Sequence, residues 1–136
     1  MAFTILRIMA GTFMLCFHGW PKLMRFTDLS QRFADPLNIG SEMSLLLVIF
    51  AEVICSILLI TGTAIRFATI PLIITMFVAA FIVHADDPVN KIELPLMYLG
   101  IYVCLLIGGA GPYALRFQSF VGKHRVLRWI FGWHLP

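Results

Sequence analysis

The sequence predicts an all-α membrane protein, an antiparallel bundle of four transmembrane helices with a C-terminal amphipathic segment lying at the interface. Three observations carry that reading. Of the 136 residues, 60% are hydrophobic and only 12% are charged, about half the charged share of an ordinary soluble domain. The mean hydropathy is +0.93. Four apolar runs, at 3–20, 43–61, 66–84 and 92–111, each approach the ~20 residues that cross a ~30 Å hydrocarbon core. No strand-like alternation competes with them, and backbone in hydrocarbon must satisfy its own hydrogen bonds, so the runs are helices. The composition excludes a nucleic-acid-binding domain, a secreted disulfide scaffold and an ordinary cytosolic enzyme.

The first run, 3–20, is interrupted by Arg7 and His18, and its end does not read as a signal-cleavage site, so it is expected to be retained. A connection from Pro21 to Ser41 follows, polar enough to hold a short surface helix with Thr27, Asp28 or Ser30 as its cap. The run 43–61 carries one charge, Glu52, and Gly62 is placed to cap its C-terminus. The run 66–84 contains Pro71 and ends on His84. Asp86, Asp87 and Pro88 open the last connection, and the run 92–111 carries Glu93 and Pro95 in its first turn. Short connections make consecutive helices antiparallel. The transmembrane domain is thus expected over 1–112.

The tail, 113–136, is too charged to span. Lys123, His124, Arg125 and Arg128 interleave with Trp129, Ile130 and Trp133, which fits an interfacial cytoplasmic segment or a docking helix for a soluble partner. The formal charge of +3 reads as orientation and attraction to anionic lipid. One side of the bundle collects Arg7, Arg66, Arg116, Lys123, Arg125 and Arg128, the other Lys22, Arg25, Arg32 and Lys91 among six acids. The larger basic share places both termini in the cytoplasm. Cys16, Cys55 and Cys104 stand singly in different runs, so neither a dithiol pair nor a zinc knuckle is available, and thiol oxidation of the kind performed by disulfide-forming quinone enzymes is ruled out.

Ionisable residues inside the bilayer cost roughly 2.5–3.5 kcal/mol at mid-helix, so they face the interior and need partners. Arg7, Gly11, Met14, His18, Lys22 and Arg25 share one helical face. A rise of about 1.5 Å per residue puts Arg7 about 9 Å and Glu52 about 13 Å from the same end, which predicts an Arg7–Glu52 intramembrane ion pair. That pair reads as a register lock, or leaves Glu52 as a proton carrier or ligand contact. At the opposite boundary His18, Lys22, His84 and Glu93 converge from three helices. They read as capping residues, as hydrogen-bonding partners for a quinone head group or another small molecule, or as a metal or haem site. No metal set is assigned.

Taken in order, Arg7 and Gly11, His18-Gly19 with Lys22, Glu52, Gly62 with Arg66, His84, Glu93 and the exit Gly109-Ala110-Gly111-Pro112-Tyr113 resemble the DoxX family of small four-helix bacterial membrane proteins. The resemblance covers about Leu6 to Leu115. After the exit the chain departs from the family's serine-leucine-aspartate continuation, with Ala114, Leu115 and Arg116, and its basic tail is not a shared element. The resemblance implies a bacterial inner-membrane protein, a membrane subunit or accessory of quinone or sulfur redox chemistry rather than a complete enzyme. No flavin, nucleotide or iron–sulfur motif is present in the sequence. Two other readings stay open, a proton-coupled transporter or channel acting as a homo-oligomer, and a structural partner of another membrane subunit. Nucleic acid is excluded as a partner.

Overall fold

A computed structural model describes residues 1–111, 113 and 114. Among them four helices are long and apolar enough to cross a membrane. They are α1 (Ala2–Met24), α3 (Ser41–Thr61), α4 (Ile65–Val83) and α5 (Val89–Gly108), with a short α2 (Phe26–Leu29) after α1. The start of α1 packs on the end of α3, α3 packs on α4, and α4 runs along α5, giving the expected antiparallel bundle. The basic tail expected over 113–136 lies, from residue 115 on, outside the described residues.

The ends differ from the hydropathy runs for local reasons. Helix α1 continues through Pro21 to Met24 because proline is tolerated in the first turn of the α-helical segment Trp20–Met24. Helix α5 begins at Val89, after Pro88 in an extended conformation, with polar Asn90 and Lys91 in its first turn, and stops at Gly108 because Gly109 turns to φ 74°. Gly62, at φ 81°, closes α3 as expected, its N–H donating to the carbonyls of Leu58 and Leu59. No side chain caps α2; instead the Ser30 hydroxyl donates back to the Thr27 carbonyl at 3.1 Å.

Two glycines set how α1 meets α3. A Cβ on Gly11 would stand 2.9 Å from Ile60 Cγ1 and 3.1 Å from the Ser56 carbonyl oxygen, and one on Gly19 would stand 2.6 Å from the Glu52 carbonyl oxygen. The backbones therefore touch at both points. With Gly11 opposite Ser56–Ile60 and Gly19 opposite Glu52, Arg7 falls at the last turn of α3 and not beside Glu52.

The expected Arg7–Glu52 ion pair is accordingly corrected. Arg7 is 1% exposed, and its guanidinium donates to carbonyl oxygens: Nε to Ala110 at 2.9 Å, Nη1 to Leu59 at 2.9 Å and also to Ile60, and Nη2 to Tyr113. These carbonyls lie in the last turn of α3 and in the chain beyond α5, where helical N–H donors run out, and a cation there also meets the negative end of the helix dipole. Depth along one axis located Arg7 and Glu52 at similar heights, but register, fixed by the glycines, separates them. Gly62 completes this end, since a Cβ there would lie 2.8 Å from Arg7 Cζ.

At the other end Asp35 ties the α2–α3 connection to α3. Its Oδ1 accepts from the Ile39 N–H at 3.0 Å and the Ser44 hydroxyl at 2.8 Å, and its Oδ2 accepts from the Gly40 N–H at 2.8 Å. The Ser44 hydroxyl and these N–H groups hold the Asp35 carboxyl below its ordinary value.

Two predictions follow from these ties. Replacing Arg7 with Met strands buried carbonyls at two helix ends, and unfolding in mixed detergent micelles should show a loss of about 3 kcal/mol. A carboxyl with a lowered folded-state pKa contributes above its unfolded value and is lost as pH falls through the folded one. Amide exchange over residues 39–44, corrected for intrinsic rates, should stay slow from neutral pH down to about 4 and rise below it, while Asp35→Asn should raise it at pH 7.

Candidate ligand site

Each of the four spans is distorted where the bundle is hollow. Helix α1 is π-helical over Leu15–Gly19, α3 over Phe50–Cys55 and α4 over Ala79–Val83, and α5 carries Pro95 within it. A π turn closes i→i+5 hydrogen bonds and accommodates one extra residue, which re-aims the side chains beyond it. The effect is visible in α1, whose buried face runs through Arg7, Gly11 and Met14 and resumes at Gly19, five residues on. One cavity is lined by a residue from each distortion, His18, Glu52, Ala79 and Pro95.

That polar cavity, of about 320 Å³, lies between α1, α4 and α5 and is walled also by Met14, Lys22, Met76, His84, Asn90, Lys91, Leu94 and Tyr98. A second cavity, again about 320 Å³, lies between α3, α4 and the α2–α3 connection. Its walls are almost wholly apolar, among them Phe33, Leu37, Leu47, Ile74 and Val78, and it reaches Lys22, Glu52 and His84. Leu47 and Ile74 are exposed on the outer faces of their helices, so the apolar cavity adjoins the surface that lipid covers. Lys22, Glu52, Met76, Ala79 and His84 are common to both.

The ionic centre is the pair Lys22–Glu52. Lys22 Nζ donates to both carboxylate oxygens, at 2.8 and 2.6 Å. The Glu52 side chain is 4% exposed and that of Lys22 24%, so the lysine reaches inward along an apolar stem to a carboxylate fixed in the wall. The close approach at Gly19 makes this contact possible. His18 stands edge-on to Tyr98, ring centres 6.0 Å apart, and Tyr98 stacks on Tyr102 at 5.7 Å. Tyr102 is fully buried, and its hydroxyl has no hydrogen-bond partner among the described residues.

His84 is held from outside the spans. Its Nδ1 lies 2.7 Å from Asp87 Oδ2, and Asp87 Oδ1 accepts from Lys91 Nζ at 3.2 Å. The His84 hydrogen bond first, and Lys91 with it, keep the Asp87 carboxyl below its ordinary value, so Asp87 is a carboxylate at neutral pH. With Nδ1 fixed on that carboxylate, Nε2 is the ring atom left for a ligand.

Of the residues singled out from sequence, the structure brings His18, Lys22 and His84 to one cavity. Glu93 is exposed and is not on its walls; because α5 begins at Val89, Glu93 lies on a different face of the first turns from the wall residues Asn90, Lys91, Leu94 and Pro95. Glu52 takes the acidic place instead. Among the described residues no group of three His, Cys, Asp or Glu is arranged to hold a metal ion. Cys55 is buried, Cys16 and Cys104 are exposed, and all three are free thiols.

Residues 2–85 match the DoxX family. The chain belongs to that family. The matched stretch contains His18, Lys22, Glu52 and His84 and leaves out Glu93 and Tyr98. The chain is also similar to an uncharacterized protein of Haemophilus influenzae, 33% identical over 95 residues, which is 66% of this chain and 63% of that protein. The chain therefore spans less than two thirds of the length of the curated relative it matches. No solved structure matches it.

The site's geometry depends on Gly19 having no side chain. Gly19→Ala should push α1 from α3 and part Lys22 from Glu52. The check is a lowered melting temperature in detergent. An unchanged melting temperature would show that the backbones do not touch there.

Proposed function

We propose that this DoxX-family protein is a quinone-binding membrane subunit. The observation that carries the reading is the apolar cavity between α3 and α4, which adjoins the lipid-facing surface and ends on Lys22, Glu52 and His84. A quinone is a lipid-soluble molecule with an apolar tail and a polar ring. It reaches such a site laterally from the bilayer, lays its tail along Leu47, Ile74 and Val78, and needs a few polar groups for its ring. A cavity of about 320 Å³ lies at the small end of the range for organic ligands, enough for the ring and the first part of a tail.

The chain contributes the binding site, and the redox partner is another subunit, since the sequence has no flavin, nucleotide or iron–sulfur motif. We place the protein in a bacterial inner membrane with both termini cytoplasmic, on the larger basic share at the end that bears them. The head-group site then lies at the outer end of the bundle. The basic, tryptophan-bearing tail, 113–136, serves as an interfacial anchor on the cytoplasmic face.

Protein purified from native membranes should carry quinone extractable by organic solvent, and a decyl-chain benzoquinone should raise the melting temperature of stripped protein by several degrees. Ala79→Phe, which fills the wall shared by both cavities, should abolish that shift while leaving the melting of the unliganded protein near its original value. Absence of both extractable quinone and a thermal shift would overturn the assignment.

A further inference from the structure

We infer that the head-group end of the cavity selects the reduced, hydroxyl-bearing form of the ligand, a hydroquinone, over the oxidised quinone; this rests on the quinone reading above. The observation is which hydrogen-bonding atoms the protein has left uncommitted. His84 Nδ1 sits 2.7 Å from an oxygen of Asp87, and a carboxylate accepts without donating, so Nδ1 carries the proton. In its neutral form the ring presents a lone pair at Nε2. Both Glu52 oxygens accept from Lys22, and each keeps capacity for a further donor. Where the two cavities meet, the polar wall residues are Lys22, Glu52 and His84, and their free atoms are two kinds of acceptor, His84 Nε2 and the Glu52 carboxylate, against the remaining N–H of Lys22.

A hydroquinone brings two O–H donors together with oxygen lone pairs and satisfies all of these. A quinone brings acceptors only. It takes the Lys22 N–H but sets its oxygens against the Glu52 carboxylate and His84 Nε2, leaving that ring nitrogen desolvated and unpaired, and that is the larger loss. The charged and titratable groups around His84 are Asp87 on its own connection, His18 and Lys22 on α1, Glu52 on α3 and Lys91 on α5.

The test measures binding to the full chain in nanodiscs at pH 8, above the ordinary imidazole range, without oxygen. The probes are a decyl-chain benzohydroquinone, the matching benzoquinone, and the hydroquinone's dimethyl ether, which has the same shape at the ring but no donor. The hydroquinone should bind about tenfold more tightly than either of the others. His84→Phe should lower hydroquinone affinity to that of the ether and leave the ether unchanged. Asp87→Leu, a change outside the spans, frees Nδ1 and should narrow the gap between hydroquinone and quinone. Equal affinity for all three probes, tighter binding of the quinone, or an Asp87→Leu protein that keeps the full gap overturns the inference and leaves the quinone site standing. No binding of any probe overturns the site as well.

Discussion

The contact on which the rest of this bundle depends is the backbone approach of α1 to α3 at Gly11 and Gly19. Both glycines lie where a Cβ would come within 3 Å of the facing helix, and together they fix position along the seam as well as distance. Sliding α1 by one turn would bring a side chain against Glu52 or Ser56 and is blocked. From that register two consequences follow at opposite ends. Arg7 arrives at the last turn of α3, where helical N–H donors run out, and Lys22 arrives beside Glu52. Neither partner could be read from its own helix alone.

The two cations that reach into the bundle, Arg7 and Lys22, do different work. Arg7 is a planar fork with five donors, and it meets carbonyls of α3 and of the chain beyond α5 at once. It joins helix ends that would otherwise expose polar backbone to lipid, a structural role for which guanidinium is suited and ammonium is not. Lys22 is a point charge on a flexible stem, more exposed than the carboxylate it holds. It stands between two cavities and lines both.

The sequence carried most of the fold because lipid leaves few alternatives. Once the four apolar runs were recognised, the requirement that backbone satisfy itself dictated helices, and the short connections dictated their order. The cap at Gly62 was visible because glycine just past an apolar run has that meaning. The pairing of Glu52 was not. An α-helical wheel with a constant 3.6-residue period cannot show a π turn, and three spans contain one near the cavities. Each shifts the face beyond it, so side chains that share a stripe on paper diverge in space. Convergence of His18, Lys22 and His84 survived because all three lie near one boundary, where a shift of one residue changes direction more than height. Glu93 lies near the same boundary but on a face turned away from the wall residues Leu94 and Tyr98, and height along the helix does not show that difference. The signal that was present and unused is His18-Gly19, a glycine inside a span next to a polar side chain, which marks a close backbone approach at the level of a buried group.

An ion pair taken out of water is an inefficient way to hold two helices together, because desolvation offsets most of the attraction and apolar residues of the same volume often serve as well or better. A π turn weakens the helix that contains it, and a hollow gives up dispersion contacts along its walls. A bundle selected only to be stable would avoid all three, and would have no reason to place them together. Here the ion pair Lys22–Glu52 lies in the wall shared by two cavities, and each of the three π segments contributes a residue, His18, Glu52 or Ala79, to one of them. At the other end of the bundle, Arg7 is saturated with carbonyls and α1 is regular α-helix. Such a cost, gathered at one level of the bundle, is not explained by stability alone.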